Sequence, residues 1–99
     1  MDRSLVALTI VAAYDVTDDS RRARLAALLQ TCGDRIQLSV FVLTLGDDEL
    51  DELQSRALSI IDPEEDSLYL FRQCSGCWDA ARCIGQAYPP TQEFFWAVL

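Results

Sequence analysis

Residues 5–24, LVALTIVAAYDVTDDSRRAR, constrain the chain more than any other stretch. An uncharged run rich in Val, Ile, Ala and Thr stops at Tyr14-Asp15. It hardly alternates between apolar and polar, which is the pattern of a central strand covered on both faces. Thr17, Asp18, Asp19 and Ser20 then supply helix-start chemistry. Leu25, Leu28, Leu29 and Cys32 recur at helical spacing, and Gly33 stands where such a helix ends. Arg21, Arg22 and Arg24 fall on the opposite face. A strand that ends on an acid, followed by a helix that begins with arginines, gathers carboxylate and guanidinium groups at one end of a sheet.

The rest of the chain extends this unit. Residues 35–43, RIQLSVFVL, alternate Ile36, Leu38, Val40 and Val42 with Arg35, Gln37, Ser39 and Phe41. No Gly, Asn or Pro marks a turn there, so the local pattern favours one long strand over two short ones. Residues 47–61 read as a second helix. Asp47 is placed to cap it, acids fill its first turn, and Leu50, Leu53, Ala57 and Ile60 or Ile61 form its apolar stripe. Asp62-Pro63 stops it, residues 64–66 read as a solvated acidic turn, and residues 67–72 read as another strand. From Gln73 the composition shifts to CSGCWDAARCIGQAYPP, which reads as irregular or partly helical. Residues 94–99, FFWAVL, form a short apolar strand that must pair with its own sheet or with a partner's edge. Strand, helix, one or two strands, helix, strand is the order of an α+β, ferredoxin-like βαββαβ sandwich. A core over residues 1–72 would be followed by a Cys-rich segment and an extra strand over residues 73–99.

Composition removes whole classes of chemistry. Sixteen acids stand against eight arginines, a formal charge of −8, which argues against simple polyanion binding. The charge is uneven, however: residues 47–66 hold much of the acid, while residues 21–35 hold Arg21, Arg22, Arg24 and Arg35. There is no histidine and no lysine. Imidazole general-base chemistry, Schiff-base catalysis and the Walker lysine are therefore excluded. Arg3 and the apolar run after it imitate a secretory signal, but the run is short and Asp2 spoils its positive start. No stretch reaches membrane-spanning length. The expectation is a cytoplasmic chain with reduced thiols. Cys74-x-x-Cys77 with Cys83, and Cys32 as a fourth ligand, invites a zinc reading. The Cys77–Cys83 spacing is no standard knuckle, and a redox pair would need thioredoxin context. Plain reduced thiols are the preferred reading.

Three segments occur in order: YDVTDDSRRARLAALL, GDRIQLSVF and SIIDPEEDSLYLFR. Together they resemble the small CRISPR-associated endonuclease family, the second of the two core proteins of spacer acquisition. The features carrying the resemblance are a first strand ending in Tyr-Asp, an arginine-rich helix start, the Arg-Ile-Gln-Leu-Ser-Val-Phe segment and a late Ile-Asp-x-x-x-Asp strand entry. The resemblance implies a ferredoxin-like homodimer whose C-terminal strand adds to the partner's sheet. It implies a break or sharp bend within residues 35–43. It also implies a metal-dependent nuclease acting on RNA or DNA, and a central scaffold between subunits of the larger CRISPR-associated integrase.

Under that resemblance Asp15 is the catalytic carboxylate and the ligand of Mg²⁺ or Mn²⁺. Phosphodiester hydrolysis without histidine needs a divalent ion, and Mg²⁺ prefers carboxylate oxygens. One carboxylate is a poor cage, so a two-fold axis bringing two copies of Asp15 together is expected. On the residues alone, Asp15 would serve the nearby helix N-terminus. Tyr14 and Ser39 match motif positions and would orient water or phosphate. Phe41 would stack on a base or pack. Arg22, Arg24 and Arg35 suit phosphate oxygens through their guanidinium forks, and Arg21 ranks below them. The alternative function is a non-catalytic dimeric scaffold that holds DNA and bridges integrase subunits. A small metabolite-binding regulatory dimer is a third reading.

Overall fold

In a computed structural model, which describes residues 7–85, the strand β1 (Leu8–Asp15) lies at the middle of a four-stranded antiparallel sheet. The helix α1 (Asp19–Gln30) leads into a hairpin of β2 (Gly33–Gln37) and β3 (Val40–Leu45). The helix α2 (Asp47–Ile60) returns the chain to β4 (Ser67–Gln73), and a short helix α3 (Ser75–Asp79) follows. The strand order β2-β3-β1-β4, with all neighbours antiparallel, is the ferredoxin-like βαββαβ arrangement expected from the sequence. Among the described residues no helix is long and apolar enough to cross a membrane. The apolar segment 94–99 lies outside the described residues.

Residues 35–43 are not one strand. They break at Leu38-Ser39, and the cause lies outside the segment. The Tyr14 backbone N–H donates to the Ser39 carbonyl at 3.0 Å, and the Tyr14 hydroxyl donates to the Leu38 carbonyl at 3.1 Å. A residue on β1 thus holds the turn that local sequence leaves unmarked. Gly33 does not end α1. Thr31 closes that helix, with both its N–H and its hydroxyl on the Leu28 carbonyl. Gly33 instead opens β2, where a Cβ would lie 1.9 Å from the Val42 carbonyl oxygen. Only a residue without a side chain permits that approach.

The core lies between one face of the sheet and the two long helices. Ile10, Ala12, Tyr14, Phe41, Leu43 and Leu45 from the strands meet Leu25, Ala26 and Leu29 of α1 and Leu53 and Ala57 of α2. Phe41, Ile10, Leu25 and Leu29 are fully buried, each worth about 1.5–3 kcal/mol of transfer free energy. Burial along β1 alternates, with Ile10, Ala12 and Tyr14 buried on one face and Thr9, Val11 and Ala13 partly covered on the other. Helices cover one face only. The other carries Thr9, Val11, Ala13 and Asp15 from β1 beside Val40, Val42, Tyr69 and Phe71 from its neighbours. Alternation was invisible in the sequence because this second face is apolar too. Tyr69 and Phe71 stack at 5.7 Å and are half exposed.

The helix termini follow ordinary capping chemistry. Asp18 caps α1 by accepting from the Arg21 N–H at 2.8 Å. Asp47 is not the cap of α2. Gly46 holds that position, and its N–H donates to the Glu49 carboxylate at 2.7 Å, the return half of a capping box.

Candidate active site

Three elements meet at the carboxyl end of β1. The first turn of α1 brings Asp19 and Arg22, the β2–β3 turn brings Leu38 and Ser39, and β2 brings Arg35. With Tyr14 they line a groove of about 360 Å³. Four residues singled out from the sequence, Tyr14, Arg22, Arg35 and Ser39, are therefore neighbours although 25 positions separate the first from the last. Asp15 is the next residue of β1 and ends it. It is exposed, and among the described residues its carboxylate has no hydrogen bond or ion pair.

Each lining residue has a visible support. Arg22 folds back over the turn, with Nη1 donating to the Val16 carbonyl at 2.9 Å and Nη2 paired with Asp19. Arg35 lies over the Phe41 ring, its Cζ 5.1 Å from the centroid, a cation–π contact. Phe41 in turn stacks against Tyr14 at 6.3 Å. Phe41 has no exposed surface, so it has no face to offer a base. Its part is to position Arg35 from beneath. Arg24 is exposed on α1 and is not drawn into the groove.

Sequence reasoning missed one element of this region. Residues 64–66 were read as a solvated turn, yet the Asp66 side chain is fully covered. Its carboxylate receives Arg21 Nε at 2.7 Å and Nη2 at 3.2 Å, the Asp62 N–H at 2.8 Å and the Thr17 N–H at 3.4 Å. Arg21 also reaches Glu65 at 3.3 Å. The Arg21 hydrogen bond, followed by that from the Asp62 N–H, holds the Asp66 carboxyl down at about 2, although burial works the other way. Asp66 keeps the Arg21 guanidinium still harder to deprotonate than usual. The clasp pins the entry of β4 to the β1–α1 turn. Its only trace in the sequence was an acid four residues after Asp62 and an arginine at a helix start.

Among the described residues no group of three or more Cys, Asp or Glu side chains is arranged to hold a metal ion. Asp15 is an exposed oxygen donor at the end of β1, on the sheet face opposite the one on which Tyr14 lines the groove. A single carboxylate falls short of the several oxygens that a hard cation needs.

The family model described as "CRISPR associated protein Cas2" matches residues 8–81, from the first residue of β1 to just past α3. The chain belongs to the Cas2 family. It is 48% identical over 61 residues to a CRISPR-associated endoribonuclease Cas2 of Synechocystis sp., a stretch covering 62% of this chain and 66% of that one. It is 44% identical over 59 residues to a CRISPR-associated endonuclease Cas2 of Thermus thermophilus, covering 60% and 66%. The matched stretches thus span just under two thirds of these relatives. Among solved structures, a hypothetical protein from Thermus thermophilus superposes with a TM-score of 0.78 at 33% identity, covering 86% of this chain and 99% of that one. A chain of a partial Cas6-RT-Cas1–Cas2 complex gives 0.70 at 26%, covering 78% and 90%. The Cas2 match takes in the whole groove and the Arg21–Asp66 clasp.

Proposed function

We propose that the chain is a metal-dependent endonuclease subunit of the CRISPR adaptation machinery, active as a homodimer on single-stranded RNA or duplex DNA. The observation that carries this is the state of Asp15. Asp15 is exposed and, among the described residues, without an internal partner, and it directly follows Tyr14, which lines a groove whose arginines match phosphate oxygens. The names of the Cas2 relatives as endoribonucleases or endonucleases support the same chemistry.

The dimer follows from the open sheet face. Tyr69 and Phe71 are exposed and Val11 and Ala13 only partly covered on the face that carries Asp15, and a second copy would cover them by packing sheet on sheet. A two-fold axis near the strand ends would then set two Asp15 carboxylates on one Mg²⁺ or Mn²⁺ ion. When bound, the ion would lower the pKa of a water and neutralise charge on the reacting phosphate. Arg35, steadied by Phe41, and Arg22 would hold the phosphate backbone, with Tyr14 keeping the Ser39 turn in place. The experiment is a metal-titrated cleavage assay on single-stranded RNA and duplex DNA, with wild type beside Asp15→Asn. Cleavage that needs added metal and is lost in the variant supports the proposal. Undiminished cleavage by the variant ends it.

A second reading rests on the likeness to a chain of a Cas1–Cas2-containing complex. There the same dimer would bridge integrase subunits and hold DNA without cutting it. Spacer acquisition that survives Asp15→Asn would favour this role, because scaffolding does not need the carboxylate.

A further inference from the structure

Cys74 and Cys77 have no part in the groove, the clasp or the open sheet face. β4 delivers Cys74 to the N-cap of α3, and Cys77 lies in the first turn of that helix. The Cys77 N–H donates to Cys74 Sγ at 3.1 Å. Residues three apart at a helix start face one another, within the ~4.4–6.8 Å Cα separation that a disulfide requires. Both side chains are exposed. Nothing lies within 4 Å of where a Cβ on the intervening Gly76 would stand, so the approach to the sulfurs is open.

We propose that Cys74 and Cys77 form a reversible dithiol–disulfide couple that exchanges with low-molecular-weight disulfides, Cys74 attacking and Cys77 resolving. The Cys74 thiolate attacks one sulfur of the external disulfide, forms a mixed disulfide and releases one thiolate. The Cys77 thiol then loses its proton to solvent and attacks Cys74 Sγ, expelling the second thiolate. The protein gives up two protons and two electrons, and the external disulfide becomes two thiols. The order of attack follows the geometry: the Cys77 N–H donates to Cys74 Sγ at 3.1 Å and favours a Cys74 thiolate, in line with the lowered pKa of Cys74 and the raised pKa of Cys77. Reduced, inert thiols were the expectation from sequence. A redox pair was set aside there for want of thioredoxin context, yet strand, N-cap cysteine and first-turn cysteine are the local part of that context.

The test uses the full chain in glutathione redox buffer, read by intact mass and peptide mapping. Wild type should lose two hydrogens, with the bridge mapped to Cys74 and Cys77. Cys77→Ser should accumulate glutathione on Cys74 about tenfold more than on exposed Cys83. Cys74→Ser should carry about tenfold less adduct on Cys77. Equal labelling of Cys74, Cys77 and Cys83, a bridge to Cys83, or no oxidation at all would overturn the proposal. If a serine variant fails to fold by circular dichroism, the mapped bridge in wild type decides alone.

Discussion

Asp15 and Asp66 are the same side chain at neighbouring strand ends, and they spend their charge in opposite ways. Asp15 ends β1 opposite Ser67, the residue directly after Asp66. Asp66 is covered and receives hydrogen bonds from Arg21, Asp62 and Thr17. Asp15 is exposed and receives none among the described residues. A buried carboxylate must be satisfied internally or it destabilises the fold. An exposed one can keep its lone pairs for a ligand. The clasp around Asp66 fixes the entry of β4 beside the end of β1, so Asp66 serves the fold, while Asp15 is left open for the chemistry proposed for it.

That division can be broken one side at a time. The largest effect is expected for Asp15→Asn, with cleavage falling by about 100-fold or more if the metal is lost. Its stability should stay within about 0.5 kcal/mol of wild type in urea titration, as for other exposed sites. Chelation of divalent ions should mimic it. Asp66→Asn should do the reverse. It should lower the melting temperature by on the order of 10 °C, because Arg21 and two backbone donors lose a charged acceptor. Residual cleavage below the melting transition should be retained.

Acid unfolding sharpens the same contrast. The Asp66 carboxyl is held at about 2 in the fold, below the ordinary value of 3.8. Its contribution to stability is complete above the unfolded value and is lost as pH falls from 3.8 through about 2. Stability curves of wild type and Asp66→Asn should therefore converge over that window, as chemical denaturation at each pH would reveal. A smaller effect is expected for Phe41→Leu, which keeps an apolar core but removes the ring beneath Arg35. Loss of a contact worth about 0.5–1 kcal/mol should weaken binding of single-stranded RNA two- to fivefold in a polarisation assay. Arg24→Ala, outside the groove, should change binding least.

The sequence disclosed what depends on local pattern and concealed what depends on distant partners. The heptad-like spacing of Leu25 and Leu29 and that of Leu53 and Ala57 identified both long helices. The Tyr14-Asp15 boundary identified the end of β1, and its setting between arginines pointed to the groove. The break at Leu38-Ser39 had no local signature, since its donor, Tyr14, lies 24 residues upstream. Asp66 looked like one acid among several because its guanidinium partner is 45 residues away. Phe41 read as a nucleic-acid contact because its burial is a property of the assembled sheet. The open face of β1 passed for a buried one because Val11 and Ala13 carry no polar mark.

The approach of Gly33 to Val42 also sets a ruler for evolution. From Gly33 the pairing runs Asp34 to Val42 and Arg35 to Phe41, before the ladder slips at the bulge after Arg35. Strand faces alternate with every residue, so deleting or adding one position between Gly33 and Arg35 would swing the guanidinium from the groove to the opposite side of the sheet. Homologous chains that vary freely in their loops should keep this two-residue interval, and a library of single-residue insertions here should be far less tolerated than the same insertions after Ala81, in the exposed segment beyond α3.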